Sequence, residues 1–324
     1  MSTPSSGPVA VASRSFSRNP RLREELAARY SKIRWNPTDR VLAGDELIEF
    51  LRGHSKAITG LDRLDERVFA AVPELRLISK YGVGLDMIDL DAARRHGVSV
   101  RWTPGVNRQA VAELTIALMI ALNRQIVPLA SGMRDRRWRQ PVGRQISSAI
   151  VGVVGCGHVG QEVARLCRAF GATVIAYDIR AYHDFYRAHD ITPVNLATLL
   201  ERSDILTLHV PLDASTRGMV GAREIALMKR TACLINTARG GIVDETALKA
   251  ALTSECLAGA AFDVFATEPP LDDELLRIPS FLATPHIGAS TEEAALAMGR
   301  AAIGGLDASP ESIDLTAEIA SPRI

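Results

Sequence analysis

Nowhere in the 324 residues does an apolar run reach the roughly 18 consecutive positions that a membrane-spanning helix needs. The first ten residues, MSTPSSGPVA, also lack the basic and then apolar segments of an export signal, so the expected location is the cytoplasm. Net charge is nearly absent: 38 Lys and Arg stand against 37 Asp and Glu, a formal +1. That balance leaves no electrostatic footprint for nucleic acid or a membrane surface, and the expected partner is a small molecule. Cysteine is scarce as well. Cys156, Cys167, Cys233 and Cys256 show no CxxC spacing and no histidine clustering. No metal site is expected, only reduced, buried thiols in apolar strand or helix contexts. No repeat of solenoid period is present.

What is there is the balance of a protein with a large interior, 47% apolar and 23% charged. The length suits two domains of roughly 150 residues each. Short apolar runs alternate with amphipathic stretches from Pro8 to Trp102, including strands at Pro8–Ala12, Lys56–Thr59, Leu75–Ser79 and Val98–Trp102 and helices at Asn19–Tyr30 and Asp89–His96. Pro104 and Gly105 break the pattern, and Val106–Arg124 then reads as a buried helix between domains, followed by the basic segment RDRRWRQPVGR. A second series runs from Ala149 to Pro285, with strands expected at 150–154, 173–177, 205–209, 233–236, 258–264 and 281–283. An alanine-rich helix over Thr291–Ile303 precedes a weakly patterned tail from Gly304. The fold class is α/β: two Rossmann-like doubly wound parallel-sheet domains with a cleft between them.

The densest signal is IVGVVGCGHVGQEVARLCRAFGATVIAYD, where Gly155, Gly157 and Gly160 close an apolar strand and open a helix. A bare GxGxxG is weak, but here strand and helix flank it correctly and Asp178 ends the next strand 18 positions past Gly160. Gly155 permits the turn, Gly157 lets the backbone approach a pyrophosphate, and Gly160 allows the helix to pack closely on the strand. The free N–H groups at His158, Val159 and Gly160 would face the phosphates. Asp178 would accept hydrogen bonds from ribose hydroxyls and repel a 2′-phosphate, favouring NAD over NADP, with Arg180 able to soften that preference.

Three segments downstream each follow an apolar strand: NTARGGIVD with Arg239, FDVFATEPP with Asp263 and Glu268, and ATPHIGAST with His286. Taken in this order after the glycine loop, they closely resemble the D-isomer-specific 2-hydroxyacid dehydrogenase family, from about Leu75 to Ile303. The resemblance implies that Arg239 holds the substrate carboxylate, that His286 is the general acid and base, and that Glu268 is its carboxylate partner. The bland alternatives are a surface arginine, a capping glutamate and a core histidine. It further implies that Asp263 meets the nicotinamide carboxamide, that His209, Val210, Pro211 and Thr216 line the adenosine side, and that Thr237 and Ala238 lie beside the nicotinamide. Val83 and Gly84 would offer backbone N–H groups to the substrate carboxylate, and Asn107 would lie close to the substrate or else cap a helix.

The same resemblance implies a substrate domain formed by residues 1–104 and 287–324, with the NAD-binding domain, 105–286, inserted between, and closure of the two over the ligands. It implies homodimers through the cofactor domains, with Trp138 and its basic arm either reaching the neighbouring subunit or anchoring a loop within its own. The phosphoglycerate dehydrogenase branch has an arginine where this chain has Lys80. Lys80 is therefore a candidate anchor for a second anion, a phosphate or phosphonate, or else a surface lysine. Too few residues follow Ile303 for the extra regulatory domain of some phosphoglycerate dehydrogenases. Formate-oxidising relatives carry glutamine where Glu268 stands. A phosphite-oxidising enzyme and a catalytically silent NAD(H) sensor remain open as alternatives.

Overall fold

The computed structural model describes residues 7–307, which divide into two units, residues 7–107 with 291–307 and residues 108–290. In the first unit β1 (Val9–Val11), β2 (Ile33–Trp35), β3 (Lys56–Thr59), β4 (Leu77–Lys80) and β5 (Ser99–Arg101) form one parallel sheet in the order β2-β1-β3-β4-β5. The period-two alternation of a strand sorts its side chains between two cores. Ala10 and Ala12 join Leu47, Leu51, Phe69 and Ile78 on one face, while Val9 and Val11 join Phe16, Leu22, Leu26 and Ile58 on the other.

The second face is closed by the helix Glu292–Asp307, which contributes Ala302, Ile303 and Leu306. This helix continues four residues past Ile303, where a weakly patterned tail was expected. Gly305 lies so close to β4 that a Cβ would come within 2.3 Å of Ser79 Oγ. Ser79 Oγ donates to the Ala302 carbonyl (2.7 Å), Lys56 Nζ to the Leu306 carbonyl (2.8 Å) and Tyr30 to Asp307 (2.7 Å). Tertiary packing overrides the poor helix propensity of the two glycines. The SPES and SPR elements lie outside the described residues.

In the second unit β6 (Ile150–Val154), β7 (Thr173–Tyr177), β8 (Ile191–Pro193), β9 (Ile205–Leu208), β10 (Cys233–Asn236), β11 (Gly259–Phe262) and β12 (Phe281–Ala283) form a seven-stranded parallel sheet in the order β12-β11-β10-β9-β6-β7-β8. Six strands were expected. The extra one, β8, is a three-residue edge strand that ends on a proline, a pattern too short to read as alternation. Val151, Val153, Ile205 and Ile235 face a core shared with Ala112, Ile116, Met119, Val163 and Cys167, whereas Val154, Leu206, Leu208 and Leu234 face the opposite core with Leu199, Ile225 and Leu248. The helix Arg108–Asn123 buries seven residues and packs on the helix His158–Ala169 and on β10 and β11. Cys256 departs from its expectation: it is exposed, while the other three thiols are buried.

β6 and β9 are adjacent, so the chain order reverses between them and leaves a crevice beyond their carboxyl ends, the usual ligand position in such sheets. The helix after β6 lies tightly against its own loop, for a Cβ on Gly160 would sit 1.8 Å from the Gly155 carbonyl oxygen. Gly160→Ala is expected to cost roughly 1–3 kcal/mol of stability through overpacking against backbone, measured as a lowered midpoint of thermal unfolding.

Candidate active site

β6 delivers the chain to Gly155, whose φ of +88° suits glycine and little else. Its N–H donates to the Tyr177 carbonyl (2.8 Å), and a Cβ there would come within 2.6 Å of the His209 carbonyl oxygen and 2.8 Å of Val210 Cγ1. The glycine loop and the His209–Val210 segment are thus in direct contact. Gly157 caps the helix His158–Ala169 with no side chain, and a Cβ on it would meet nothing within 4 Å. Exposed His158 and half-buried Val159 open that helix. An open helix start with uncapped N–H groups and a positive partial charge fits a pyrophosphate.

Asp178 spans the top of the loop, accepting from the Cys156 N–H (2.5 Å) and the Arg180 N–H (2.7 Å). It borders a cavity of about 180 Å³ shared with Arg180, His183, Tyr186 and Pro193. Burial pushes the Cys156 thiol up to about 12, so it stays protonated and inert. Burial pushes His209 down to about 3, keeping its ring neutral; Nε2 meets Thr207 Oγ1 at 2.9 Å while buried Nδ1 has no partner among the described residues. Pro211 is exposed, and its carbonyl accepts from Thr216 Oγ1 (2.6 Å).

Arg239, Glu268 and His286 come together beyond β10, β11 and β12. Glu268 Oε2 meets His286 Nδ1 at 2.8 Å, and Oε1 accepts from the Phe265 N–H (3.1 Å). Burial pushes the Glu268 carboxyl up, but its hydrogen bond to His286, the imidazolium charge, the Phe265 amide and the Arg239 guanidinium together bring it below the usual carboxylate range. In turn the Glu268 hydrogen bond raises His286 against the opposing effects of burial and Arg239, with the charges of Glu268 and Asp263 assisting. An ionised carboxylate only accepts, so Nδ1 carries a proton and Nε2 is the nitrogen left to exchange one.

Asp263 is almost wholly buried, and its two oxygens accept from Thr284 Oγ1 (2.6 Å), the Ile287 N–H (2.8 Å) and the Gly288 N–H (2.8 Å). Its own carbonyl accepts from the His286 N–H (2.9 Å). His286 has φ +54°, an uncommon conformation for a residue with a side chain, and this clasp holds it there. Thr237 is buried with its hydroxyl 2.8 Å from that of Thr115, and Ala238 is half-buried beside it.

In the other unit the segment after β4 keeps Val83 and Gly84 half-buried, the Val83 carbonyl accepting from Trp102 Nε1 (2.8 Å). Asn107 is buried, with no partner for Oδ1 among the described residues. Lys80 corrects the surface reading: it is buried, and its ammonium donates to the Gly60 carbonyl.

Residues 116–288 match the model of the D-isomer-specific 2-hydroxyacid dehydrogenase NAD-binding domain. The chain belongs to the D-isomer-specific 2-hydroxyacid dehydrogenase family. Its cofactor is NAD. It is 38% identical over 256 residues to a D-3-phosphoglycerate dehydrogenase of Bacillus subtilis, covering 78% of this chain but 48% of that one, so the chain spans about half the length of that relative. It is 38% identical over 239 residues to a glyoxylate reductase of Korarchaeum cryptofilum, covering 72% of each. A glyoxylate reductase structure from Paecilomyes thermophila superposes with a TM-score of 0.85 at 28% identity, covering 95% of this chain and 96% of that one.

Two residues of this 2-hydroxyacid dehydrogenase family site escape motif reading. Asn236 ends β10 fully buried; its Nδ2 donates to the Arg239 carbonyl (2.9 Å) and its Oδ1 accepts from the Ala238 N–H (3.1 Å), which shapes the turn that presents Arg239. An asparagine at a strand end is a turn signal in the sequence, although nothing there names the atoms it binds. Gly240 packs so tightly that a Cβ would come within 1.8 Å of the Phe265 carbonyl oxygen, setting the Arg239 turn against the segment that leads to Glu268. Glu268→Gln removes the charge that favours imidazolium, so the His286 pKa is expected to fall; titration of the imidazole by NMR measures the shift.

Proposed function

We propose that this chain is an NAD-dependent dehydrogenase that interconverts a small D-2-hydroxy acid and the corresponding 2-oxo acid in the cytoplasm. The observation that carries the reading is the 2.8 Å contact between His286 Nδ1 and Glu268, with Arg239 close enough to act electrostatically on both. NAD supplies the hydride acceptor, and NADH the hydride donor, for C2. His286 Nε2 gives a proton to the C2 oxygen during reduction and takes it back during oxidation, while Glu268 keeps the ring oriented and more basic. Arg239 offers a planar fork for the substrate carboxylate and polarises the C2 oxygen. The backbone N–H groups of Val83 and Gly84 are further contacts for that carboxylate, and Asn107 for the substrate. Asp178 takes the ribose hydroxyls.

The carboxylate, the C2 oxygen and the hydride position are shared by the substrates of glyoxylate reductases, hydroxypyruvate reductases and phosphoglycerate dehydrogenases, so the reading is pitched at that class. The buried ammonium of Lys80 withdraws the main support for a phosphate or phosphonate on the substrate. NADH oxidation across pyruvate, glyoxylate, hydroxypyruvate and the phosphate ester of hydroxypyruvate tests the class. His286→Ala is expected to lower turnover by about 10²–10⁴ with NADH binding retained. In the wild type, reduction needs protonated His286, so its rate holds at low pH and falls as pH rises through the raised His286 pKa; oxidation runs the opposite way. NADH binding without turnover of any of these acids would overturn the reading.

The dehydrogenase is further proposed to act as a homodimer. The helix Ile126–Arg134 and the following arm expose Ile126, Val127, Met133, Trp138 (72%) and Val142 (98%), apolar groups that a second copy would cover. Replacing Trp138 and Val142 by serine is expected to yield monomers in sedimentation or light-scattering measurements, and an unchanged dimer would remove the arm from the interface.

A further inference from the structure

Lys80 ends β4 with 4% of its surface exposed, and Asp62 lies 1% exposed in the turn that follows β3. Lysine and aspartate are rarely buried to this degree unless paired. Both charges act on one residue between them. The Gly60 N–H donates to Asp62 Oδ2 (2.8 Å), and the Gly60 carbonyl accepts from Lys80 Nζ. Asp62 Oδ1 also accepts from the Leu42 N–H (3.2 Å). Burial raises the Asp62 carboxyl above its ordinary value, with the Gly60 and Leu42 amides and the nearby Lys80 charge offsetting part of that. The gripped position is closely packed, for a Cβ there would sit 2.8 Å from Ser13 Oγ and would require that side chain to shift.

The grip falls at the root of the segment that bears Val83 and Gly84. Immediately after Lys80, the Tyr81 N–H donates to the Thr59 carbonyl (2.8 Å), and three residues on Trp102 holds the Val83 carbonyl. Tyr81–Gly84 is therefore fastened at its start to the β3 turn and near its end to the residue after β5. A lysine held in this way acts on substrate through the backbone it places.

We propose that Lys80 and Asp62 form a buried positioning pair that sets the Tyr81–Gly84 backbone, and that Lys80 reads no second anion on the substrate. This rests on the dehydrogenase reading above for its kinetic arm alone. The test compares Lys80→Met, Asp62→Asn and the double variant by thermal unfolding, and by kinetics with hydroxypyruvate and its phosphate ester, which differ only in the second anion.

Lys80→Met strands a buried carboxylate, so the thermal midpoint should fall by roughly 5–10 °C, and the double variant should regain most of that loss. The Michaelis constant should rise by about tenfold for both acids alike, with turnover number changed far less, because a displaced backbone N–H weakens the hold on the shared carboxylate. If Lys80→Met does not fold, recovery of folded protein in the double variant supports the pair and failure to recover overturns it. A loss confined to the phosphate ester with an unchanged midpoint would also overturn it. Should the wild type turn over neither acid, the dehydrogenase reading fails on its own, and the unfolding comparison still decides the pair: additive losses reject it and recovery supports it.

Discussion

Every strand of residues 150–283 runs in the same direction, and that constraint determines where the chemistry lies. In a parallel sheet each connection returns to the amino end, so the turns that follow the strands all emerge at one edge. The glycine loop, Asp178, His209, Arg239, Asp263 and His286 each follow a different strand of this sheet and therefore share its carboxyl edge. Adjacency of β6 and β9 then presses Gly155 against the His209 carbonyl, while β10, β11 and β12 in sequence bring Arg239, Glu268 and His286 within electrostatic reach. An antiparallel arrangement of the same segments would send alternate turns to opposite ends.

What holds these groups in place is buried backbone bonding more than surface charge. Exposed ion pairs such as Arg18–Asp39 and Arg52–Glu49 are each worth about 0–1 kcal/mol. Asp263 and Asn236 work differently: each places side-chain oxygen or nitrogen against backbone groups of the turn that bears a reactive residue, away from competing water. Leaving such a buried group unpaired costs more than a surface pair contributes. His286 can hold φ +54° because the clasp around it is over-determined. Lys80 and Asp62 apply the same device to Gly60 in the amino-terminal unit, an ammonium on its carbonyl and a carboxylate on its N–H.

Most of the elements were legible because their patterns are long or strongly alternating, as in Ile150–Val154 and Thr173–Tyr177. β2 and β8 were not read, since each is three residues long and, unlike β1, is not a continuous buried apolar run. The glycines at 304 and 305 suggested the end of a helix, yet close approach to Ser79 requires one of them inside it. Lys80 was read as an anchor for a second anion or else a surface lysine; its burial removes the surface reading, because the turn that accepts the ammonium is twenty residues away in the chain.

The sequence by itself determined the α/β class, the dinucleotide loop and the residue types that a proton-exchanging acid site requires, because these depend on local period and on spacing along one strand and its turn. Only the tertiary structure decided which atoms meet. The histidine nitrogen engaged by Glu268, the clasp of Asp263 on residues 284–288 and the burial of Lys80 all depend on contacts between segments distant in the chain. Composition is blind to such contacts, for a buried charge and an exposed one are written with the same letter, and the difference lies in the neighbours that the fold supplies.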